Sequence, residues 1–322
     1  MKIMKSTILC IALLVSLCGI AFGQSPEGSS NFDYDRSAPL GLKELGVEKR
    51  GSVSIHDITY ISPKGGVVPA YLVVPDGKGP FAAVIWGHWY WGNSPMRNRK
   101  EFLDEAVALA PAGVVSLLTD GPVARPGYVP DKDPLSERLV SYLVQQVIDM
   151  RRGVDLLLQR KDVDPKRIAY VGHSYNGVVG ALLSGIDKRF KAFVLMTATT
   201  SDEVTRKIPE YQEYRKEVGV EKFEAFERKH YWLDQGRYVS QAAPSVVFLQ
   251  YAKQERFLDP KWIPLYAAVV SEPKRLKVYD APHALNAEAR RDRIAFLVEQ
   301  LKLKPLPPAI VASIPDLVQP PS

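Results

Sequence analysis

The sequence predicts an α/β protein built on a doubly wound, mostly parallel sheet, and three observations carry that prediction. Strand-like runs rich in β-branched and aromatic residues alternate with helix-length amphipathic segments between residues 81 and 301. Residues 81–86 are apolar at every position, as expected of a strand covered on both faces. Residues 167–183 run from a strand pattern through a turn with glycines on both sides of a serine into a helical pattern. Such alternation feeds a parallel sheet with helices on its two sides.

In chain order, residues 1–23 read as an export signal. Lys2 and Lys5 form a charged start, residues 8–17 an apolar core, and Ala21-Phe22-Gly23 a cleavage site before Gln24. The apolar stretch is short for a membrane span, and bulky Leu17 disfavours a lipid anchor on Cys18. An exported, unanchored chain is therefore expected, periplasmic or extracellular. Both cysteines, Cys10 and Cys18, fall in this leader. The remaining 299 residues (322 − 23) then carry no thiol nucleophile, thiolate metal site or disulfide. They suffice to bury a large core in one domain.

Residues 24–50 read as a polar, irregular N-terminal arm, and residues 51–303 as the globular domain. Val53, Ile55, Ile58 and Tyr60 alternate, residues 67–74 follow after a glycine-containing turn, and the pair predicts an antiparallel hairpin. Residues 97–109 are expected to be helical, 114–118 a strand, and 134–159 a long helix with apolar residues at Leu139, Leu143, Val147, Met150, Val154 and Leu158. Strands follow at 168–171, 192–196, 245–250 and 275–279, with helices at the turn after Val171 and at 287–301. Residues 199–243, charged and rich in aromatics, interrupt the rhythm as a small helical cap insertion. Residues 304–322 hold Pro305, Pro307, Pro308, Pro315, Pro320 and Pro321 and read as an extended, mobile tail.

The chemistry centres on Gly172-His173-Ser174-Tyr175-Asn176-Gly177. A serine on a sharp strand-to-helix turn projects its hydroxyl above the sheet, and the helix start behind it offers N–H groups to an oxyanion. On these residues the chain resembles the α/β-hydrolase superfamily, most closely its dienelactone-hydrolase-like serine esterase branch, over roughly residues 50–303. The usual G-x-S-x-G has Asn176 at its second glycine, a residue that tolerates left-handed backbone.

The resemblance implies a catalytic triad in the order nucleophile, acid, histidine. Of five histidines, only His283 follows a late strand and precedes the last helix, so it takes the base position. Aligning the loop after residues 245–250 puts Glu255 at the acid position. Asp259 competes four residues on, and Asp280 competes more weakly from the histidine loop itself. The separations are 81 residues (255 − 174) and 28 (283 − 255). The oxyanion hole would draw on the N–H of Tyr175 and one from the loop after residue 86. That loop departs from H-G-x-x-G as His88-Trp-Tyr-Trp-Gly92, where Trp89 or Tyr90 could donate and position favours Tyr90. Trp89 and Trp91, with Tyr90 and Tyr175 close by, are expected to line a hydrophobic substrate-binding subsite for an acyl or aryl group.

Other chemistries lack their residues. There is no dinucleotide fingerprint, no P-loop and no H-E-x-x-H, so neither cofactor nor metal is expected. The charge of +6 (42 − 36) falls to +4 without the two leader lysines, and bases and acids are interleaved, which disfavours nucleic acid as a partner. Lactone opening does not carry over, because the dienelactone hydrolases proper use a cysteine. The expected activity is hydrolysis of small-molecule or polysaccharide-linked esters through an acyl-enzyme. Acyl transfer with the same triad is one alternative, and a non-catalytic binding protein on this scaffold, suggested by Asn176 and Trp89, is another. Oligomeric state is not legible.

Overall fold

The computed structural model describes residues 25–318, apart from residues 93, 199–200 and 256–257. The predicted export signal, residues 1–23, lies outside the described residues. Within them, nine strands form one sheet. The strands are β1 (Lys43–Arg50), β2 (Val53–Ile61), β3 (Val67–Pro75), β4 (Phe81–Gly87), β5 (Val114–Thr119), β6 (Val163–His173), β7 (Ala192–Met196), β8 (Val246–Gln254) and β9 (Lys274–Pro282). Their spatial order is β1-β2-β3-β5-β4-β6-β7-β8-β9. Strands β5, β4, β6, β7, β8 and β9 run parallel, and β1 to β3 join antiparallel.

The helices are α1 (Leu103–Leu109), α2 (Glu137–Leu158), α3 (Tyr175–Ile186), α4 (Asp202–Thr205), α5 (Pro209–Val218), α6 (Val220–His230), α7 (Gln235–Val239), α8 (Ile263–Val269), α9 (Ala287–Leu301) and α10 (Pro308–Ser313). Two apolar cores follow from the pleat of the sheet. On one face α2, α3 and α8 pack through residues such as Val147, Val154, Leu182 and Tyr266. On the other, α1 and α9 pack through Ala106, Leu109, Phe296 and Leu297. Strand β4 is buried at all seven positions because it has helices on both sides.

Four expectations are corrected. The arm is not irregular throughout, since residues 43–50 form β1, which pairs along β2 while leaving every residue exposed. A strand with no buried face lacks the alternation that reveals one. The rest of the arm is held on α2, where Arg151 Nη1 donates to the Phe32 carbonyl at 2.6 Å and Tyr34 Oη to Asp155 Oδ2 at 2.7 Å.

The helix expected over 97–109 begins only at Leu103. Residues 97–102 are turns, because Arg99 reaches the Asp57 carboxylate at 2.9 Å and Glu101 turns inward. The C-terminal segment is not extended throughout: it forms α10 and buries Val311 and Ile314 against the α9 face. Its Pro315 carbonyl and Asp316 accept from Arg290 Nη1. Asn176, finally, is helical within α3 and needs no left-handed backbone.

The insertion between β7 and β8 is helical. Its α7 lies directly on α3, where a Cβ on Gly185 would come 2.7 Å from the Tyr238 backbone. Lys229 Nζ and His230 Nε2 both reach Glu137 at the start of α2, at 2.6 and 3.2 Å. No helix among the described residues is long and apolar enough to cross a membrane.

Candidate active site

The parallel strands deliver the candidate residues to one edge of the sheet. Ser174 follows β6, Glu255 follows β8 and His283 follows β9, all at carboxyl ends. Ser174 has φ 54° and ψ −111°, a left-handed conformation that non-glycine residues adopt only under constraint. The constraint is visible. Ser174 N donates to the Met196 carbonyl at 2.8 Å, and the Ser174 carbonyl accepts from Gly177 N at 2.8 Å as α3 begins. Gly172 must lack a Cβ, since one would lie 2.1 Å from the Asn176 carbonyl oxygen.

His283 Nδ1 lies 2.6 Å from Glu255 Oε2, and both side chains are buried. Asp259 stands apart, exposed, capping a short turn through Lys261 N at 3.0 Å and pairing with Lys261 Nζ at 2.7 Å. Asp280 is also exposed and accepts from Gln254 Nε2. The histidine loop is fastened to the elbow next to Ser174: His173 Nε2 donates to the His283 carbonyl at 2.9 Å.

The loop after β4 is braced on every side. His88 is buried, its Nε2 accepts from Gly121 N at 2.9 Å, and its Nδ1 therefore carries the proton donated to the Trp89 carbonyl at 2.7 Å. Burial, aided by Arg97 and Arg125, holds its pKa down at about 4. Asn176 Nδ2 donates to the His88 carbonyl at 2.5 Å and Oδ1 accepts from Gln146 Nε2 at 3.0 Å. A Cβ on Gly87 would meet Asn176 Cβ at 2.5 Å, so the asparagine and this glycine fit as a pair. Trp89 N donates to Glu101 Oε2 at 2.5 Å, which commits that N–H. Among the described residues no hydrogen bond engages the N–H of Tyr90 or of Tyr175.

Trp89 and Trp91, the two expected to line a hydrophobic subsite, lie buried beside the histidine loop. They are 0% and 7% exposed and stack on each other at 5.5 Å. Trp91 lies 5.4 Å and Trp89 6.3 Å from the His283 ring, and Leu317 of the C-terminal segment packs on the pair. The exposed aromatic of this loop is Tyr90, whose hydroxyl accepts from Tyr128 Oη at 3.0 Å. Sequence reasoning missed Glu101, His173 and Gln146 as parts of the site. His173 sits beside the serine and could have been singled out; Glu101 lies 72 residues from it and carries no local signal.

No family model and no curated protein matches the sequence. Solved structures do. An acetyl xylan esterase from Paenibacillus sp. R4 superposes with a TM-score of 0.65 at 19% identity, covering 82% of this chain and 90% of that one. Acetyl xylan esterase 1 from Thermoanaerobacterium sp. JW/SL YS485 gives 0.63 at 16%, covering 86% and 94%. A glucuronoyl esterase from Solibacter usitatus gives 0.58 at 15%, covering 83% and 88%. At such identities the likeness is one of fold. Together with the strand order, the antiparallel start and the serine at the β6–α3 turn, it shows that this chain has the α/β-hydrolase fold.

Proposed function

We propose that the protein is a serine esterase that cleaves carboxylic esters through an acyl-enzyme at Ser174. The observation that carries this reading is the buried His283–Glu255 pair, 2.6 Å apart, fastened by His173 beside the strained Ser174 turn. Ser174 Oγ attacks the ester carbonyl while His283 Nε2 takes its proton. The imidazolium then returns that proton to the leaving alcohol, and water repeats the sequence in reverse to free the acid. Glu255 holds the Nδ1–H tautomer and stabilises the imidazolium.

The N–H groups of Tyr175 and Tyr90 receive the oxyanion; that Trp89 N already donates to Glu101 favours Tyr90 over Trp89 as the loop donor. A preorganised donor of this kind contributes about 3 kcal/mol. The fold neighbours named for acetyl xylan and glucuronoyl esters favour a carbohydrate-linked ester as substrate. Export through residues 1–23 fits such a substrate. The two departures that suggested a non-catalytic scaffold, Asn176 and Trp89, are both occupied in bracing the loop after β4.

The test is labelling and turnover together. Wild-type protein should hydrolyse p-nitrophenyl acetate and take up one fluorophosphonate per chain, and Ser174→Ala should lose both. Hydrolysis that survives Ser174→Ala unchanged would remove the proposal.

A further inference from the structure

The most deeply buried ionisable pair near the site is one that the reaction does not consume. Glu101 and His173 side chains are 1% and 0% exposed, with Glu101 Oε1 2.6 Å from His173 Nδ1. Each partner has a second bond to a different loop. Glu101 Oε2 accepts from Trp89 N at 2.5 Å, and His173 Nε2 donates to the His283 carbonyl at 2.9 Å. Thus the turn before α1, the loop after β4, the elbow and the histidine loop meet at two side chains.

The bonding fixes the proton count. A carbonyl only accepts, so His173 Nε2 carries a proton, and one further proton lies between Nδ1 and Oε1. The pair is neutral as a unit, and neither ring nitrogen is free to act as a base. The His173 ring stacks on that of His283 at 5.3 Å and 25°, with Trp89 against both. A buried charged pair contributes little net stability against an apolar replacement, so its worth lies in fixing geometry.

Resting on the esterase reading above, we infer that Glu101 and His173 are positioning residues. They form a second acid–histidine pair that sets His283 through its own main chain and ring face, and sets the Tyr90 N–H through Trp89. Misplacement of reacting groups by an ångström costs about 10²-fold in rate.

Two substitutions separate positioning from mere folding. In Glu101→Gln the amide oxygen still accepts from Trp89 N and the amide nitrogen donates to Nδ1 of a neutral His173, so all three bonds survive; kcat should stay within about fivefold of wild type. Glu101→Ala removes the two bonds that Glu101 makes and leaves His173 Nδ1 and Trp89 N without a partner, so the His173 bond to the His283 carbonyl loses its brace. The variant's kcat per fluorophosphonate-titrated site should fall about 10²-fold, with KM for p-nitrophenyl acetate within about threefold. Counting by titrated site excludes loss through misfolding, so a per-site kcat near wild type in Glu101→Ala overturns the inference.

A second readout needs no activity. With ¹⁵N-labelled histidine, the His283 ring resonances should move in Glu101→Ala and hold in Glu101→Gln, in a Ser174→Ala background. Unmoved His283 resonances also overturn the inference. A wild type that neither hydrolyses esters nor takes up the probe defeats the esterase reading alone, since the resonances still report whether the pair sets His283.

Discussion

Glu255 Oε2 sits 2.6 Å from His283 Nδ1, with both side chains buried to within 3% of full cover. At that distance and burial the carboxylate determines which ring nitrogen carries the proton. Glu255→Gln is therefore expected to lower kcat by about 10⁴-fold, because the amide favours the wrong tautomer and offers no charge to the imidazolium. Asp259→Asn should change kcat by less than about twofold, since its contacts are an exposed cap and an exposed ion pair. Steady-state kinetics on both variants decides the matter. A crippled Asp259→Asn beside a mild Glu255→Gln would move the acid to Asp259.

Restoring the usual glycine at position 176 should damage this protein. Asn176→Gly abandons the bond to the His88 carbonyl and leaves Gln146, already lacking a partner for Oε1, without one for Nε2. Each buried orphan costs about 1–3 kcal/mol, and glycine within a helix about 1 kcal/mol more than alanine. Urea unfolding should register a loss of about 2–4 kcal/mol. The loop carrying Tyr90 follows His88 directly, so kcat should fall as well. Wild-type values for both would show that the asparagine is only a tolerated substitution.

Much of this was legible in the sequence because the fold punctuates itself. The all-apolar β4, the alternation of β2 and β3, and the abrupt passage from β6 to α3 are local signals, and each element lies where its periodicity puts it. What escaped depends on contacts distant in sequence. Glu101 is recruited by a histidine 72 residues away, and in being recruited it ends the helix expected from residue 97. The tail reads as extended because its prolines are conspicuous, whereas Val311 and Ile314 acquire meaning only against α9. That Trp89 and Trp91 are buried, with their rings 6.3 and 5.4 Å from that of His283, is likewise set by a loop nearly 200 residues away.

Stability should decline on the acid side through His88. Burial keeps its folded-state pKa at about 4, below the ordinary histidine value of about 6.5. Between those values the unfolded chain takes up a proton that the native chain refuses, so stability is full above pH ~6.5, falls as pH drops toward ~4 and levels below that. The group's share is at most about 3 kcal/mol. His88→Gln keeps an acceptor for Gly121 N without a titrating ring. Denaturant unfolding at pH 7 and pH 4.5 should show a smaller acid loss in the variant than in wild type. Equal losses would place the acid sensitivity elsewhere.

The C-terminal segment should behave as part of the core. Truncation after Leu303 removes Val311 and Ile314, 7% and 8% exposed, and strips Leu317 from Trp89 and Trp91. It also takes both acceptors from buried Arg290. Two buried aliphatic side chains contribute about 3–6 kcal/mol by area, and an uncompensated buried guanidinium adds to the loss. The truncated chain should therefore melt several degrees lower, about 2–4 °C for each kcal/mol in a domain of this size. A cavity of about 400 Å³, which Ile314 and Leu317 share with Leu285 of the histidine loop, would open to solvent. Tryptophan emission should shift to the red as Trp89 and Trp91 become wetted. Asp316→Ala should cost under about 1 kcal/mol, because that carboxylate is largely exposed and the Pro315 carbonyl still accepts from Arg290. A truncated protein with unchanged melting point and emission would return the segment to the extended, mobile tail that its prolines suggest.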